Sequence, residues 1–196
     1  MRTPPIPPEK LNPELRYVHD EISNLITRSQ GAVIMINEEN ALIGPFPPML
    51  HFPQFGIPVL SFIRSLDAHT ILPKKVKEVA ILTVGAAFSA RFELYAHEIM
   101  ARFHGFSPEA VASLASGNRP DELNEQESIA YEVAHVLMKG RIVPESTYAQ
   151  ATRYLGRNGT AELIFLVGAY ALIATVLNGY DMPAPEVKPQ ANKTTQ

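Results

Sequence analysis

Three titratable residues, Glu78, Glu93 and His97, lie in a stretch of sequence that is otherwise rich in Val, Ile, Leu and Ala. Glu93 and His97 are four residues apart, so on a helix their side chains lie on one face and can touch. Carboxylates and an imidazole are costly to bury among apolar side chains unless they are paired. A buried pair of this kind is suited to proton transfer. The alternative is a structural Glu–His pair on a partly solvated helix face.

The separation between Glu78 and the Glu93–His97 pair depends on how the chain turns. In one straight helix the two glutamates would be about 22 Å apart, at ~1.5 Å per residue, and could not share a pocket. Ser89 lies between them and is a residue type that favours the N-cap of a helix. We therefore predict a turn near residues 86–89, with Ser89 capping a second helix that folds back beside the first. This arrangement places Glu78 near His97.

The segments around Glu78 and His97 read Lys-Glu-Val-Ala-Ile-Leu and Ser-Ala-Arg-Phe-Glu-Leu-Tyr-Ala-His. They resemble the carboxymuconolactone decarboxylase and alkylhydroperoxidase D-like superfamily, in which a basic residue and Glu precede an apolar turn and a short helix ending in His. The peroxidase branch has Cys-x-x-Cys-x-x-x-His in that helix. In this register Ala90 and Glu93 occupy the two cysteine positions, and Glu78 and His97 match the family Glu and His. The resemblance extends over roughly residues 45–180.

The absence of cysteine distinguishes the two branches of the family. The chain has no Cys, so dithiol peroxidase chemistry is excluded because it needs a nucleophilic thiolate. The resemblance then implies a decarboxylase-like enzyme that acts on a small carboxylated lactone or β-keto acid. We expect no cofactor, because the substrate itself supplies the electron sink. His97 is the expected proton carrier, with Glu93 and Glu78 as the catalytic carboxylates that tune and orient it.

Substrate-binding candidates lie on the same predicted helices. Arg91 is the most available anchor for a substrate carboxylate, which a guanidinium can bind through two hydrogen bonds. Its alternative role is a salt bridge to Glu93 or Glu78. Tyr95 and Tyr170 are expected to offer phenolic hydrogen bonds to the pocket, although aromatic residues at helical spacing are more often part of a core.

Two other functions stay open at this stage. An isomerase or cyclase could use the same proton-transfer pair without releasing carbon dioxide, and a non-catalytic oligomeric binding protein could keep the fold with only a structural ion pair. A metal site is not expected, because the six histidines lack metal-ligand spacing and the chain has no Cys. A phosphate-binding loop is not expected either, because the glycines are scattered.

Composition indicates one soluble domain, residues 1–182, followed by a polar, proline-rich tail, residues 183–196, that we expect to be mobile. A net charge of −3 gives no electrostatic signature for nucleic acid or an anionic membrane. The N-terminus has no apolar region typical of a secretory signal, so we expect a cytoplasmic protein.

Residues 163–177 form an apolar run that is shorter than the ~20 residues needed to span a bilayer. Because a chain of this size can hardly bury such a helix alone, we expect a core or subunit-interface helix in a homo-oligomer. The resemblance implies an oligomer of the dimer, trimer or hexamer kind.

The helix signals predict an all-α, alkylhydroperoxidase D-like domain of about six to eight helices with a short sheet or none. Asn12, Ser107 and Asn124 are the predicted N-caps. One helix is predicted over residues 53–69, and another begins at Pro73. The proline-rich segment at residues 44–48 is predicted to be a rigid connector.

Overall fold

The computed structural model describes residues 1–28 and 33–186, with only the backbone described for Leu25, Thr27 and Arg28. After a short 3₁₀ turn at Pro8–Lys10, the described chain forms eight helices: α1 (Pro13–Arg28), α2 (Phe46–His51), α3 (Pro53–Ala68), α4 (Lys74–Phe88), α5 (Arg91–Phe103), α6 (Pro108–Ala115), α7 (Glu125–Met138) and α8 (Glu145–Gly179). These residues form no sheet, and their one β-bridge joins Ile36 to Leu42. The prediction of an all-α fold of six to eight helices is confirmed.

Helix α4 is the centre of the molecule. It packs against α5, α6, α7 and α8, and it is buried on nearly every side because its sequence is apolar almost throughout. Val79, Leu82 and Val84 are fully buried in the main hydrophobic core. A polar group on such a helix has little access to water, so Glu78 on α4 must find a partner within the protein.

The predicted N-caps are present. The side chains of Asn12 and Ser107 accept hydrogen bonds from the third residue beyond them, at 2.9 and 3.0 Å. Asn124 and Glu127 form a reciprocal capping box at the start of α7. The predicted helices at residues 53–69 and from Pro73 correspond to α3 and α4.

The connector predicted at residues 44–48 is only partly an irregular segment. Helix α2 begins at Phe46, with Pro47 and Pro48 in its first turn. Proline is tolerated there because the first amide groups of a helix have no intrahelical acceptor. The prediction of a rigid connector through residue 48 was therefore wrong in its second half.

The turn between α4 and α5 lies one to two residues later than predicted. Helix α4 continues to Phe88, and Ser89 follows it in the left-handed conformation, with φ of 49°. The N–H of Ala90 donates to the carbonyl of Gly85 at 2.9 Å, which closes the end of α4. Ser89 therefore terminates α4. The prediction that it caps α5 was wrong, because Ala90 occupies the N-cap position without a side-chain bond.

Helix α8 contains a break at Gly156, where φ is 71° and ψ is 169°. Such a backbone conformation is open essentially to glycine alone. The apolar segment that follows is long and hydrophobic enough to cross a membrane by length and composition, and 44% of it is buried inside the protein. Leu163 and Leu177 belong to its buried face. Of the predicted tail, residues 187–196 lie outside the described part of the chain.

Candidate active site

Helices α4 and α5 fold back on one another and bring Glu78 against His97. The Glu78 Oε2 lies 2.8 Å from the His97 Nδ1, although the two residues are nineteen positions apart. Glu78 is 6% exposed, and the His97 side chain is 16% exposed. Because an ionised carboxylate only accepts hydrogen bonds, Nδ1 is the donor in this pair, and Nε2 is the ring nitrogen that takes no part in it.

Glu93 does not make the predicted contact with His97. Both carboxyl oxygens of Glu93 are buried without a hydrogen-bond partner among the described residues, and the residue is 3% exposed. The predicted Glu93–His97 hydrogen bond was therefore wrong, because the imidazole turns to Glu78 across the helix pair. Burial raises the pKa of the Glu93 carboxyl well above its ordinary value, so this side chain is neutral under conditions in which an exposed glutamate is charged.

A glycine on the neighbouring helix gives Glu93 its space. A Cβ atom placed at Gly85 would lie 3.4 Å from the Glu93 Oε1 and 3.1 Å from the Leu94 Cδ2. Helix α4 therefore approaches α5 closely at this point, and a larger residue would crowd the carboxyl group. Among the described residues Glu93 forms no ion pair and no hydrogen bond, so its burial is uncompensated there.

His97 lines a first cavity of about 420 Å³. Its polar lining comes from Lys74, Lys77 and Glu78 of α4, from His97 of α5 and the following His104, and from Asp67 of α3 and Tyr170 of α8. Apolar side chains complete it: Ile26, Val33, Met35, Ile63, Leu66, Ile81, Met100 and Leu166. The volume suits a small organic molecule.

His97 also lines a second cavity of about 250 Å³. The titratable groups in its lining are Glu93, His97, Asp67 and Tyr170. The rest is mainly apolar: Met35, Pro45, Phe46, Met49, Leu60, Ile63, Phe92, Ala96, Ile173 and Leu177. His97 therefore lines both a cavity with several charged side chains and one that is mostly hydrophobic.

Tyr170 of α8 lines both cavities. Its ring packs edge-on against the His97 imidazole, with 5.1 Å between ring centroids. Burial raises the pKa of the Tyr170 phenol, and the neighbouring Glu78 and Glu93 raise it further. The hydroxyl group is thus a neutral hydrogen-bond donor at the junction of the two cavities, where the sequence analysis expected it to contact substrate.

Arg91 and Tyr95 lie away from the cavities. The Arg91 side chain is 61% exposed and bonds to Asp181 at 2.6 Å, so it reaches neither the pocket nor the two glutamates. The expectation of a carboxylate anchor at Arg91, and of its alternative pairing with Glu78 or Glu93, was wrong. The Tyr95 hydroxyl accepts a hydrogen bond from the Ile34 amide at 3.1 Å, and its ring packs edge-on against Phe92. Tyr95 has this structural role in place of the expected pocket contact.

The sequence analysis missed the cationic side chains of the first cavity. Lys74, Lys77 and Ile81 recur at helical spacing with Glu78, so one face of α4 carries all four toward the cavity. His104, directly after the end of α5, lies seven residues after His97 and also lines the cavity. The spacing was visible in the sequence, but only the position of α5 against α4 shows that this face borders a cavity.

Within residues 1–28 and 33–186, no group of three or more His, Cys, Asp or Glu side chains is arranged to hold a metal ion.

The fold is that of known structures despite low sequence identity. No protein-family model matches the chain, and no curated protein sequence matches it. The structure of the debrominase Bmp8 in complex with 2,3,4-tribromopyrrole, a variant with a cysteine replaced by alanine, matches with a TM-score of 0.72 and 14% identity, over 95% of this chain and 92% of that one. The apo form of Bmp8 matches with a TM-score of 0.72 and 13% identity, at the same coverage.

A further similar structure is the alkylhydroperoxidase AhpD core of an uncharacterised peroxidase-related protein from Ralstonia eutropha JMP134. It has a TM-score of 0.71 and 15% identity, over 94% of this chain and 92% of that one. The chain therefore has the AhpD-like fold, as the resemblance implied. At these identities the comparisons establish the fold alone.

Proposed function

We propose that this protein is a cofactor-independent enzyme that transfers protons on a small carboxylated lactone or β-keto acid, with decarboxylation as the overall reaction. The observation that carries this proposal is the His97–Glu78 pair, which stands at the junction of two cavities. A histidine backed by a buried carboxylate is a proton carrier held in one orientation.

The proposed reaction needs a histidinium and a substrate with an internal electron sink. The bond between the departing carboxyl group and the carbon chain breaks, carbon dioxide leaves, and the bonding electrons form an enolate on the lactone or keto group. His97 then delivers the Nε2 proton to carbon and becomes neutral, and solvent reprotonates it. The charge of Glu78 stabilises the histidinium before the transfer.

Glu93 has a separate role in this proposal. A carboxyl group that stays protonated can donate a hydrogen bond to the developing enolate oxygen, which a carboxylate cannot do. Its burial in the second cavity, without a hydrogen-bond partner among the described residues, supports this role. Tyr170 offers a second neutral donor close to His97.

The similar structures support a small-molecule site on this fold. Bmp8 is a debrominase seen with 2,3,4-tribromopyrrole, a small ring compound, in a cysteine-to-alanine variant. The present chain has no cysteine, so we propose no thiol chemistry for it. From Bmp8 we take only the expectation that the ligand is a small molecule.

An isomerase or cyclase is the second candidate, and the neutral Glu93 favours it. A proton held by Glu93 on one side and a base at His97 on the other could remove and return protons at two different atoms of one substrate. The product would then have the same formula as the substrate. Carbon dioxide release separates this reaction from decarboxylation.

The test is an assay of carboxylated lactones and β-keto acids for headspace carbon dioxide and, in deuterium oxide, for deuterium uptake at carbon. His97→Gln is expected to lower turnover by about 10²-fold or more while the helical circular dichroism signal is kept. His69→Gln is the matched control, because His69 is exposed and bonds to the Ser65 carbonyl at the end of α3. Wild-type turnover in His97→Gln contradicts the proposal. Binding without any turnover indicates the non-catalytic alternative.

We also propose that the protein acts as a cytoplasmic homo-oligomer. Phe165 and Leu172 of α8 are 59% and 41% exposed, and Phe62 of α3 packs edge-on against Phe165 at the surface. Apolar side chains grouped in this way are typical of a subunit contact. A single species near the chain mass of 21.6 kDa in light scattering contradicts this proposal.

A further inference from the structure

Lys77 has a largely buried side chain and takes no part in the proposed proton transfer. Its side chain is 18% exposed, and its salt-bridge partner is the Asp67 carboxylate, 3.8 Å from Nζ. That separation is too long for a hydrogen bond. Because the Asp67 side chain is 77% exposed, water screens the ion pair and weakens it. The Lys77 ammonium therefore keeps hydrogen-bond donors that a ligand in the first cavity can use.

The first cavity has a lysine-bearing end. Lys74 is one helical turn before Lys77 on the same face of α4, and His104, the residue directly after α5, lies near both. Burial lowers the pKa of His104; Glu78 acts in the opposite direction, and Lys74 and Lys77 lower it further. The acidic side chains of this lining are Glu78, which bonds to His97, and Asp67, which is largely exposed. An anionic ligand group at Lys77 gains an ion pair that the exposed Asp67 supplies only weakly.

The segment from Glu93 to His104 links the lysine-bearing end to the second cavity. His104 lines the first cavity, Glu93 lines the second, and His97 lines both. A ligand that reaches His97 from the lysine-bearing end therefore extends toward the apolar side chains of the second cavity, such as Phe46 and Leu60. Apolar side chains suit an uncharged part of the ligand.

We propose that Lys77 binds a carboxylate that stays on the substrate throughout the reaction, while the apolar part of the substrate lies beyond His97 in the second cavity. This inference rests on the substrate class given under Proposed function. The retained carboxylate is specified for a physical reason. Loss of carbon dioxide removes negative charge from the departing group, so a salt bridge to that group stabilises the substrate more than the transition state. A retained carboxylate keeps its salt bridge in both states.

Binding of unreactive probes tests this assignment by calorimetry. The probes are γ-butyrolactone with a carboxyl group at Cγ, its methyl ester, and the same acid with a butyl chain on the ring. The wild-type protein is expected to bind the acid at least about 10-fold more tightly than the ester, because an ion-paired hydrogen bond is lost in the ester. The butyl acid is expected to bind about 10-fold more tightly again, through burial of the chain.

Variants separate Lys77 from general charge effects. Lys77→Gln is expected to lower the affinity for the acid about 10-fold and leave the affinity for the ester unchanged, which also shows that the variant is folded. Lys77→Arg is expected to keep the preference for the acid. Lys10→Gln is the control, since Lys10 lies on the exposed 3₁₀ turn at the N-terminus.

Three results overturn the proposal: equal affinity of wild type for acid and ester, equal behaviour of Lys77→Gln and Lys10→Gln, or no binding of any probe. A butyl acid that binds no better than the parent acid overturns the placement in the second cavity. These measurements involve no turnover. Lys77-dependent binding without catalysis therefore contradicts the proposed function alone, and His97-dependent catalysis without acid preference contradicts the role of Lys77 alone.

Discussion

Glu78 and Glu93 are two buried carboxyl groups of the candidate site that differ in their hydrogen bonding. Glu78 on α4 and Glu93 on α5 are 6% and 3% exposed. Glu78 has the His97 imidazole at 2.8 Å, whereas Glu93 has no hydrogen-bond partner in the described part of the chain. Nearly equal burial therefore accompanies a carboxyl group bonded to histidine at one site and, at the other, a carboxyl group whose pKa burial raises well above its ordinary value. The two glutamates therefore differ in their hydrogen-bond partner and not in their degree of burial.

The largest expected effect comes from removing the charge of Glu78. In Glu78→Gln the side chain keeps its shape, but it no longer supports the positive charge on His97, so we expect turnover to fall by about 10²-fold or more. The measurement is turnover on a substrate found in the carbon dioxide assay. Glu39→Gln, at an exposed turn position, is the control. Unchanged turnover in Glu78→Gln would show that the two carboxyl groups are functionally alike.

Replacement of each glutamate by methionine is expected to change stability in opposite directions. Glu93→Met removes a buried polar group without a partner, so the free energy of unfolding is expected to rise by about 1–3 kcal/mol. Glu78→Met leaves the His97 Nδ1 without its acceptor, and the same quantity is expected to fall. Urea denaturation followed by circular dichroism measures both. A loss of stability in Glu93→Met would reveal a polar partner for Glu93.

The pH dependence of stability is expected to report the neutral state of Glu93. An unfolded glutamate releases its proton near pH 4.5, whereas folded Glu93 retains its proton to higher pH because burial raises its pKa. Between the two pKa values the folded state binds one proton more, so stability falls as pH rises, by at most ~1.4 kcal/mol per pH unit.

Glu93→Gln cannot titrate and lacks this slope. Its stability relative to wild type is therefore expected to increase as pH rises from 4.5 and to level off above the folded pKa of Glu93. Urea denaturation of both proteins across this pH range gives the difference, in which the contributions of other groups cancel. A constant difference would show that Glu93 is ionised in the folded protein.

The smallest effect is expected at Arg91, two residues from Glu93 on α5. Because Arg91 is exposed and bonds to Asp181, Arg91→Gln is expected to change kcat/KM by less than about 2-fold. Steady-state kinetics checks this, with Lys77→Gln as the contrasting variant. A large increase in KM for Arg91→Gln would place the substrate carboxylate at the outer surface and contradict the assignment to Lys77.

Local sequence signals predicted most of the helices. The capping box of Asn124 and Glu127 and the caps at Asn12 and Ser107 depend on residues within one turn of the helix they begin. Ser89 shows where such signals fail. A serine is compatible both with an N-cap and, less commonly, with the left-handed end of a helix. In the structure α4 continues to Phe88, and Ser89 adopts the second of these conformations.

The residues of the candidate site were predicted better than their contacts. The pattern in the sequence singled out Glu78, Glu93 and His97, because polar side chains in an apolar stretch need a reason. The sequence pattern also favoured Glu93, the wrong partner for His97, because a contact between residues four apart on one helix can be predicted from their spacing. The contact across two helices depends on the packing of α5 against α4 and is not visible.

The sequence alone therefore determined the helical class, the exclusion of thiol chemistry and the short segment that holds the titratable groups. These follow from composition and from interactions within a few residues of the chain. Only the tertiary structure decided which glutamate meets His97, that Lys77 and not Arg91 faces the first cavity, and that Glu93 has no hydrogen-bond partner within residues 1–28 and 33–186. Each of these depends on distances between separate helices, which packing of the whole core sets and local sequence does not encode.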